Sequence, residues 1–147
     1  MSEQTKTWNK YIHKVQNYET DQMGIVHHSN YIRWFEEART AYLEEAGAGY
    51  KGMEEAGIIS PVVSVACRYR SMVRFGDTVE ITLKLTGYNG VKLSLSYEVT
   101  DKETGVLRCE GESSHCFLDC DGRPVSLKKT HPEYHEIFKK ELEAEQA

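Results

Sequence analysis

The hydrophobic pattern passes from helical spacing to a period of two near Ile59, and that change limits the folds open to this 147-residue chain. From Asn30 to Ala46, at ~100° per residue, Tyr31, Ile32, Phe35, Ala38, Tyr42, Leu43 and Ala46 share one broad apolar face. Ser29 stands where an N-cap is expected, and Gly47 where a left-handed C-cap is expected. "GYKGMEEAGI" then reads as a loop with one short helical turn. Beyond it the period is two. Val63, Val65, Cys67 and Tyr69 alternate with Ser64, Ala66, Arg68 and Arg70, and Val79, Ile81, Leu83 and Leu85 alternate with Glu80, Thr82, Lys84 and Thr86. Val91, Leu93, Leu95, Tyr97 and Val99 repeat the pattern, and "VLRCEGESSHCFLD" follows. Asn89-Gly90 and Asp101 to Gly105 read as hairpin turns, the first because both of its residues tolerate positive φ. Upstream, "KYIHKVQNY" alternates weakly and reads as a short strand.

The order is therefore strand, long helix, then four antiparallel strands. Each later strand has one apolar and one polar face, so one side of the sheet needs cover. The long helix is the element able to supply it. The expected class is α+β, with a curved antiparallel five-stranded sheet wrapped around one long central helix. The other sheet face, rich in Ser, Thr, Lys and Glu, suits either water or a polar oligomer interface. Length favours a single domain over residues 1–147, with a core at about 10–130 and a charged, exposed helical tail at 131–147.

Composition narrows function. With 39% hydrophobic and 28% charged residues the chain has the balance of a soluble globular protein. Its net charge is -5 and no basic tract occurs, so nucleic acid and anionic membranes are poor partners. A local Lys and Arg cluster for a small polyanion stays open. "MSEQTKTWNK" lacks the apolar core of a secretion signal, and no run approaches the ~20 apolar residues of a membrane span. A cytoplasmic location is expected, with Cys67, Cys109, Cys116 and Cys120 as thiols. No C-x-x-C pair occurs, so no metal is expected. His131 and His135 have metal-ligand spacing on a helix, but Pro132 and polar surroundings favour a solvated face. His13 and His115 are isolated strand residues with no assigned role.

The stretch "YETDQMGIVHHSNY" carries the chemistry. Asp21 precedes the helix by about seven residues, with Gly24 permitting a sharp loop. The first N–H groups of a helix are unpaired and carry partial positive charge. A carbonyl oxygen placed there is polarised as in an oxyanion hole. A carboxylate opposite can attack that carbonyl or activate a water. The competing reading is that Asp21 only satisfies turn amides and that His27 and His28 only close the helix entrance. Glu36 and Arg39, at i and i+3, fall at the edge of the apolar stripe. They either anchor the helix or place Glu36 as a second acid near a substrate.

"YETDQMGIVHHSNYIRWFEEAR" resembles the opening motif of the 4-hydroxybenzoyl-CoA thioesterase branch of the hotdog-fold superfamily, which includes the thioesterases associated with the Tol-Pal operon. Glu19, Thr20, Asp21, Gly24, Val26, His28, Tyr31, Glu36 and Arg39 match its pattern. "YRSMVRFGD" and "CDGRPVSL" resemble later parts, and the likeness spans about residues 10 to 130. The resemblance implies a hotdog fold and an acyl-CoA thioesterase releasing a free acid and CoA. It implies active sites at a dimer interface, often in tetramers, and no metal or redox cofactor. Asp21 takes the place of the catalytic carboxylate, as nucleophile or base. His28 takes the place whose backbone N–H holds the thioester carbonyl. Val26, His27, Tyr31, Arg70 and Lys92 are the expected substrate contacts, with Arg74 and Arg123 as supplements for coenzyme A phosphates. Asn17 and Gln16 replace a frequent Tyr and Arg, which removes a ring contact to the acyl group. Trp34, Phe35 and Tyr31 either line an aromatic-acyl pocket or belong to the core. A carrier-protein thioester, a non-catalytic acyl-CoA sensor and a dehydratase acting on hydroxyacyl thioesters are the alternatives.

Overall fold

The computed structural model describes residues 9–146, which leaves the first eight residues of the expected single domain, and its last, outside the described residues. The elements are β1 (Lys10–Lys14), α1 (Ser29–Ala46), α2 (Tyr50–Glu55), β2 (Val62–Tyr69), β3 (Thr78–Tyr88), β4 (Lys92–Asp101), β5 (Leu107–Cys116), α3 (Leu127–Thr130) and α4 (Pro132–Gln146). The strands form one antiparallel sheet in the order β1-β3-β4-β5-β2. β3, β4 and β5 follow each other as hairpins, and the two strands flanking the long helix in sequence lie at opposite sheet edges.

The period-two residues of β3 and β4 bury as their alternation requires: Val79, Ile81, Leu83, Leu85, Leu93, Leu95, Tyr97 and Val99 all face the core. α1 lies across this face with Trp34, Phe35, Ala38 and Tyr42 fully enclosed. Phe35 stacks on Tyr97 with centroids 4.3 Å apart and planes within 7°, over the bare backbone of Gly111. Each such side chain contributes about 1.5–3 kcal/mol of burial, so the helix-on-sheet contact is the main source of stability. Gly47 closes α1 at φ 93°, with its N–H reaching the Leu43 and Glu44 carbonyls.

Several local expectations are corrected. Ile32 lies outside the buried stripe at 41% exposure, while Trp34, which a stripe drawn through Ile32 passes over, is fully enclosed. The buried set 30, 31, 34, 35, 38, 39, 42 and 43 keeps i, i+3, i+4 spacing. Ser29 is the first helical residue rather than the cap; His28 is the cap, and its side chain makes no capping bond. At the Asn89-Gly90 turn only Gly90 adopts positive φ, at 92°. Asn89 contributes its side chain instead, Oδ1 accepting from the Val91 and Lys92 amides. The alternation of β2 is real, but its apolar residues stay open: Val63 is 58% and Tyr69 49% exposed. β2 is an edge strand, paired on one side only, and α1 covers the strands beyond it. The tail is helical yet docked. Phe138 is buried against Tyr88 and Phe117, and His135 Nδ1 lies 2.8 Å from the Tyr88 hydroxyl, so His135 is not on a solvated face. No helix among the described residues is long and apolar enough to cross a membrane.

Candidate active site

Between β1 and α1 the chain makes one tight excursion. After Lys14 it passes through a 3-10 turn, Asn17–Glu19, and Thr20 bridges to Val26 across the loop. Inside that bridge the Asp21 N–H donates to the Ile25 carbonyl at 2.8 Å, and the Gly24 N–H returns to the Asp21 carbonyl at 2.9 Å. Gly24 sits at φ 78°, a conformation costly for any residue with a Cβ. Asp21 Oδ1 accepts the Met23 N–H at 2.8 Å, so the turn role expected for Asp21 is present. Oδ2 has no partner among the described residues, and the side chain is half-buried. One carboxylate oxygen shapes the loop; the other is unengaged among the described residues. The Val26 N–H donates to the Val73 carbonyl and Ile25 bridges to Arg74, which fixes the loop to the segment after β2.

The same loop delivers the helix entrance. The His27 N–H donates to the Glu19 carbonyl at 2.8 Å, and the Asn30 side-chain amide donates to that oxygen at the same distance. His27 Nδ1 accepts the Ser29 N–H, so His27 closes the entrance as its position suggested. The Asn30 N–H turns back to the His27 carbonyl. Among the described residues from His27 to Asn30, only the His28 N–H has no acceptor. It stands at the positive end of an 18-residue helix. The His28 ring stacks on His27 at 4.2 Å and meets Tyr69 edge-on at 6.4 Å.

Asp21 and His28 open onto one cavity of about 510 Å³. Met23, Ile25 and Val26 supply one wall, Tyr31 and Tyr69 another, and Arg70 to Val73 a third. The lining is largely apolar and aromatic, suited to an acyl group. Tyr31 and Tyr69 pack edge-to-face at 5.2 Å. Burial, reinforced by Cys109 and Tyr69, holds the Tyr31 phenol far above its ordinary range, and burial with Cys67 pushes Tyr69 up to about 12. Both remain neutral hydroxyls at physiological pH. A larger groove of about 650 Å³ runs over the other face of α1, beside Tyr11, Arg33 and Glu36.

Of the residues singled out in the sequence, Asp21, Val26, His28, Tyr31 and Arg70 meet at the first cavity. Others do not join its wall, Arg74 and Arg123 among them. His27 lies beside the entrance, engaged with Ser29. Lys92 begins β4, seven positions before Val99, whose partner Cys109 in turn pairs with Tyr69. At ~3.4 Å per residue it is roughly 24 Å along the sheet from the site within one protomer. Glu36 is exposed in the separate groove, which corrects its reading as a second acid. Arg39 is instead buried, with Nε donating to the Tyr50 hydroxyl at 2.8 Å and Nη1 to the Tyr97 hydroxyl at 3.1 Å. Arg70 reaches the cavity rim already paired with Glu110 at 2.6 Å. Trp34 and Phe35 are core, whereas Tyr31 serves both core and cavity. The sequence reading missed Tyr69 and Met72 as lining, although Tyr69 belongs to the alternating apolar set of β2. It also missed the chain running from Tyr97 through Ser113 to His115. Among the described residues no three His, Cys, Asp or Glu side chains gather to hold a metal ion.

Comparison with known proteins places these features in company. Residues 15–140 match the thioesterase-like superfamily. The Bacillus subtilis protein YneP, named provisionally as an acyl-CoA thioesterase, is 36% identical over 83% of this chain and 88% of its own length. A DHNA-CoA thioesterase from Staphylococcus aureus superposes with a TM-score of 0.84 at 30% identity, covering 89% of this chain and 88% of that one. A hypothetical protein of Aquifex aeolicus gives a TM-score of 0.80 at 32% identity over 88% of this chain and 98% of that one.

Proposed function

The chain belongs to the thioesterase-like superfamily and is a thioester hydrolase, and from that premise we propose that it cleaves acyl-CoA to a free acid and CoA at the Asp21–His28 cavity. The observation that carries the reading is the pairing of Asp21 Oδ2 with the unengaged His28 N–H on one apolar cavity. The thioester carbonyl oxygen accepts the His28 N–H, so the charge that builds on it in the tetrahedral intermediate meets the positive end of α1. Asp21 then acts from the other side. As base it takes a proton from a water whose oxygen attacks the carbonyl carbon; as nucleophile its own oxygen attacks, and water later cleaves the mixed anhydride. The thiolate of CoA is a good leaving group and needs no strong acid. This chemistry requires no metal or redox cofactor. Tyr31, Val26, Met23 and Met72 receive the acyl group, and Arg70 lies at the rim where the pantetheine enters.

The motif running from Glu19 to Arg39 supports membership in the 4-hydroxybenzoyl-CoA branch that includes the Tol-Pal-associated thioesterases. A homo-oligomeric assembly, a dimer and then a dimer of dimers, is supported by the open β2 edge. Val62, Val63, Val65 and Tyr69 along β2, with Met72 and Phe75 beyond its end, are exposed apolar side chains that a second copy would cover. A cytoplasmic location is part of the same proposal. The test is thiol release, read with a thiol-reactive dye, across short, long and aromatic acyl-CoA thioesters. Turnover is expected on at least one class, and Asp21→Asn is expected to lower kcat by about 100-fold or more with the fold intact. Calorimetric binding of every acyl-CoA with no thiol release would leave a sensor, not an enzyme.

A further inference from the structure

We propose that Glu19 is a positioning residue for the reaction: its buried carboxylate gathers three donors from three parts of the chain and thereby holds the loop that presents Asp21 to the start of α1. The proposal rests on the reading of Asp21 given above. Glu19 is 5% exposed. Its Oε1 lies 2.8 Å from His13 Nε2 on β1 and accepts the Gln16 N–H at 2.8 Å; its Oε2 accepts the Trp34 Nε1–H of α1 at 2.8 Å. The Glu19 main-chain oxygen adds the His27 N–H and the Asn30 side-chain amide. One residue therefore ties together β1, the 3-10 turn, the body of α1 and its entrance, two positions before Asp21.

Charge and geometry agree that the group must be a carboxylate. Burial opposes ionisation, but the Gln16, His13 and Trp34 hydrogen bonds outweigh it and hold Glu19 below the usual carboxylate range. An ionised carboxylate only accepts, so His13 presents Nε2–H to it. His13 Nδ1 lies 3.6 Å from Glu37 of α1, which also receives the Tyr11 hydroxyl. A glutamine cannot replace this acceptor. Its NH₂ placed toward Oε1 meets the Gln16 N–H, and placed toward Oε2 it meets the Trp34 Nε1–H. Either orientation sets donor against donor in a buried site and loosens one of the three ties. The side-chain ties lie two positions from Asp21, joined to it through Thr20, whereas Arg70 and Ser71 of the cavity wall have further hydrogen bonds of their own to Leu107 and Arg108 of β5.

The experiment is a kinetic cycle on Glu19→Gln, Asp21→Asn and the double variant, using the better of hexanoyl-CoA and benzoyl-CoA, at a temperature where circular dichroism shows native folding. Glu19→Gln is expected to lower kcat about 10-fold while KM stays within about 3-fold, because the geometry of attack is disturbed more than binding. In the Asp21→Asn background it is expected to change the residual rate by less than about 2-fold, since it acts through that side chain. A wild-type kcat in Glu19→Gln, or its full loss repeated on top of Asp21→Asn, overturns the proposal. Wild-type turnover in Asp21→Asn alone overturns the site reading beneath it, independently of Glu19. Should Glu19→Gln fail to fold, Trp34→Phe removes one donor and keeps an aromatic ring. A kcat lowered about 3-fold at unchanged KM supports the clamp, and an unaltered kcat refutes it.

Discussion

A single methyl group at Gly111 tests how α1 is seated. Gly111 lies on the inner face of β5, opposite Cys67 of β2. A Cβ built there would fall 2.8 Å from Phe35 Cε2 and 3.1 Å from Cζ, and would overlap the Ala66 carbonyl oxygen. Carbon atoms need about 3.6 Å, so the Phe35 ring would have to retreat roughly 0.8 Å. That ring has no slack, being buried and stacked on Tyr97. The Ala66 oxygen is backbone, so β2 would also have to part from β5. Overpacking costs about 1–3 kcal/mol, and each weakened ladder bond adds about 1 kcal/mol. Gly111→Ala is therefore expected to destabilise by about 3 kcal/mol or more. For a domain of this size that lowers Tm by roughly 6–12 °C. Paired urea and thermal denaturation curves measure it. A Tm within about 2 °C of the parent would refute the close seating of Phe35 on bare backbone.

Two further outcomes follow from buried titratable groups. His115 is enclosed and held at about 4 by burial and then by Arg39, against 6.5 in the unfolded chain. Between these values the unfolded state binds the extra proton, so stability falls as pH drops through 6.5 towards 4, by up to about 3 kcal/mol. His115→Gln should flatten that part of the urea-midpoint profile, and an unchanged slope would contradict it. Cys67 is drawn below the ordinary thiol range by the Cys109 thiol, against a smaller burial effect and with help from Tyr69, while Cys109 is pushed up by Cys67 and by burial. Iodoacetamide at neutral pH is expected to label Cys67 ahead of Cys109, with peptide mass spectrometry as the readout; equal rates would count against this polarity.

The fold was legible because burial in β3 and β4 follows side-chain alternation and burial in α1 follows helical spacing, both local to the sequence. What escaped was set by neighbours distant in sequence. The exposure of Val63 and Tyr69 depends on β2 being the edge strand, and nothing within "VVSVACRY" records which strand pairs with it. The docking of α4 rests on Phe138 meeting Tyr88 and Phe117, with Tyr134, Ile137 and Leu142 packed beside it, apolar positions spaced among charges. Within the site, Asp21 and His28 were visible because a short loop must bring an acid and a helix start together. Tyr69 reaches them only through the return of β2. Glu19 was visible only as part of the motif and His13 as an isolated strand histidine, and only the fold joins them, with Trp34, into one cluster.

A crystal structure with a non-hydrolysable acyl-CoA ketone addresses the catalytic geometry most directly. The ketone oxygen should lie about 2.7–3.1 Å from the His28 nitrogen, with Asp21 Oδ2 facing the carbonyl carbon directly or through one water. A ketone bound with its oxygen away from the start of α1, or with Asp21 turned from it, would contradict the account.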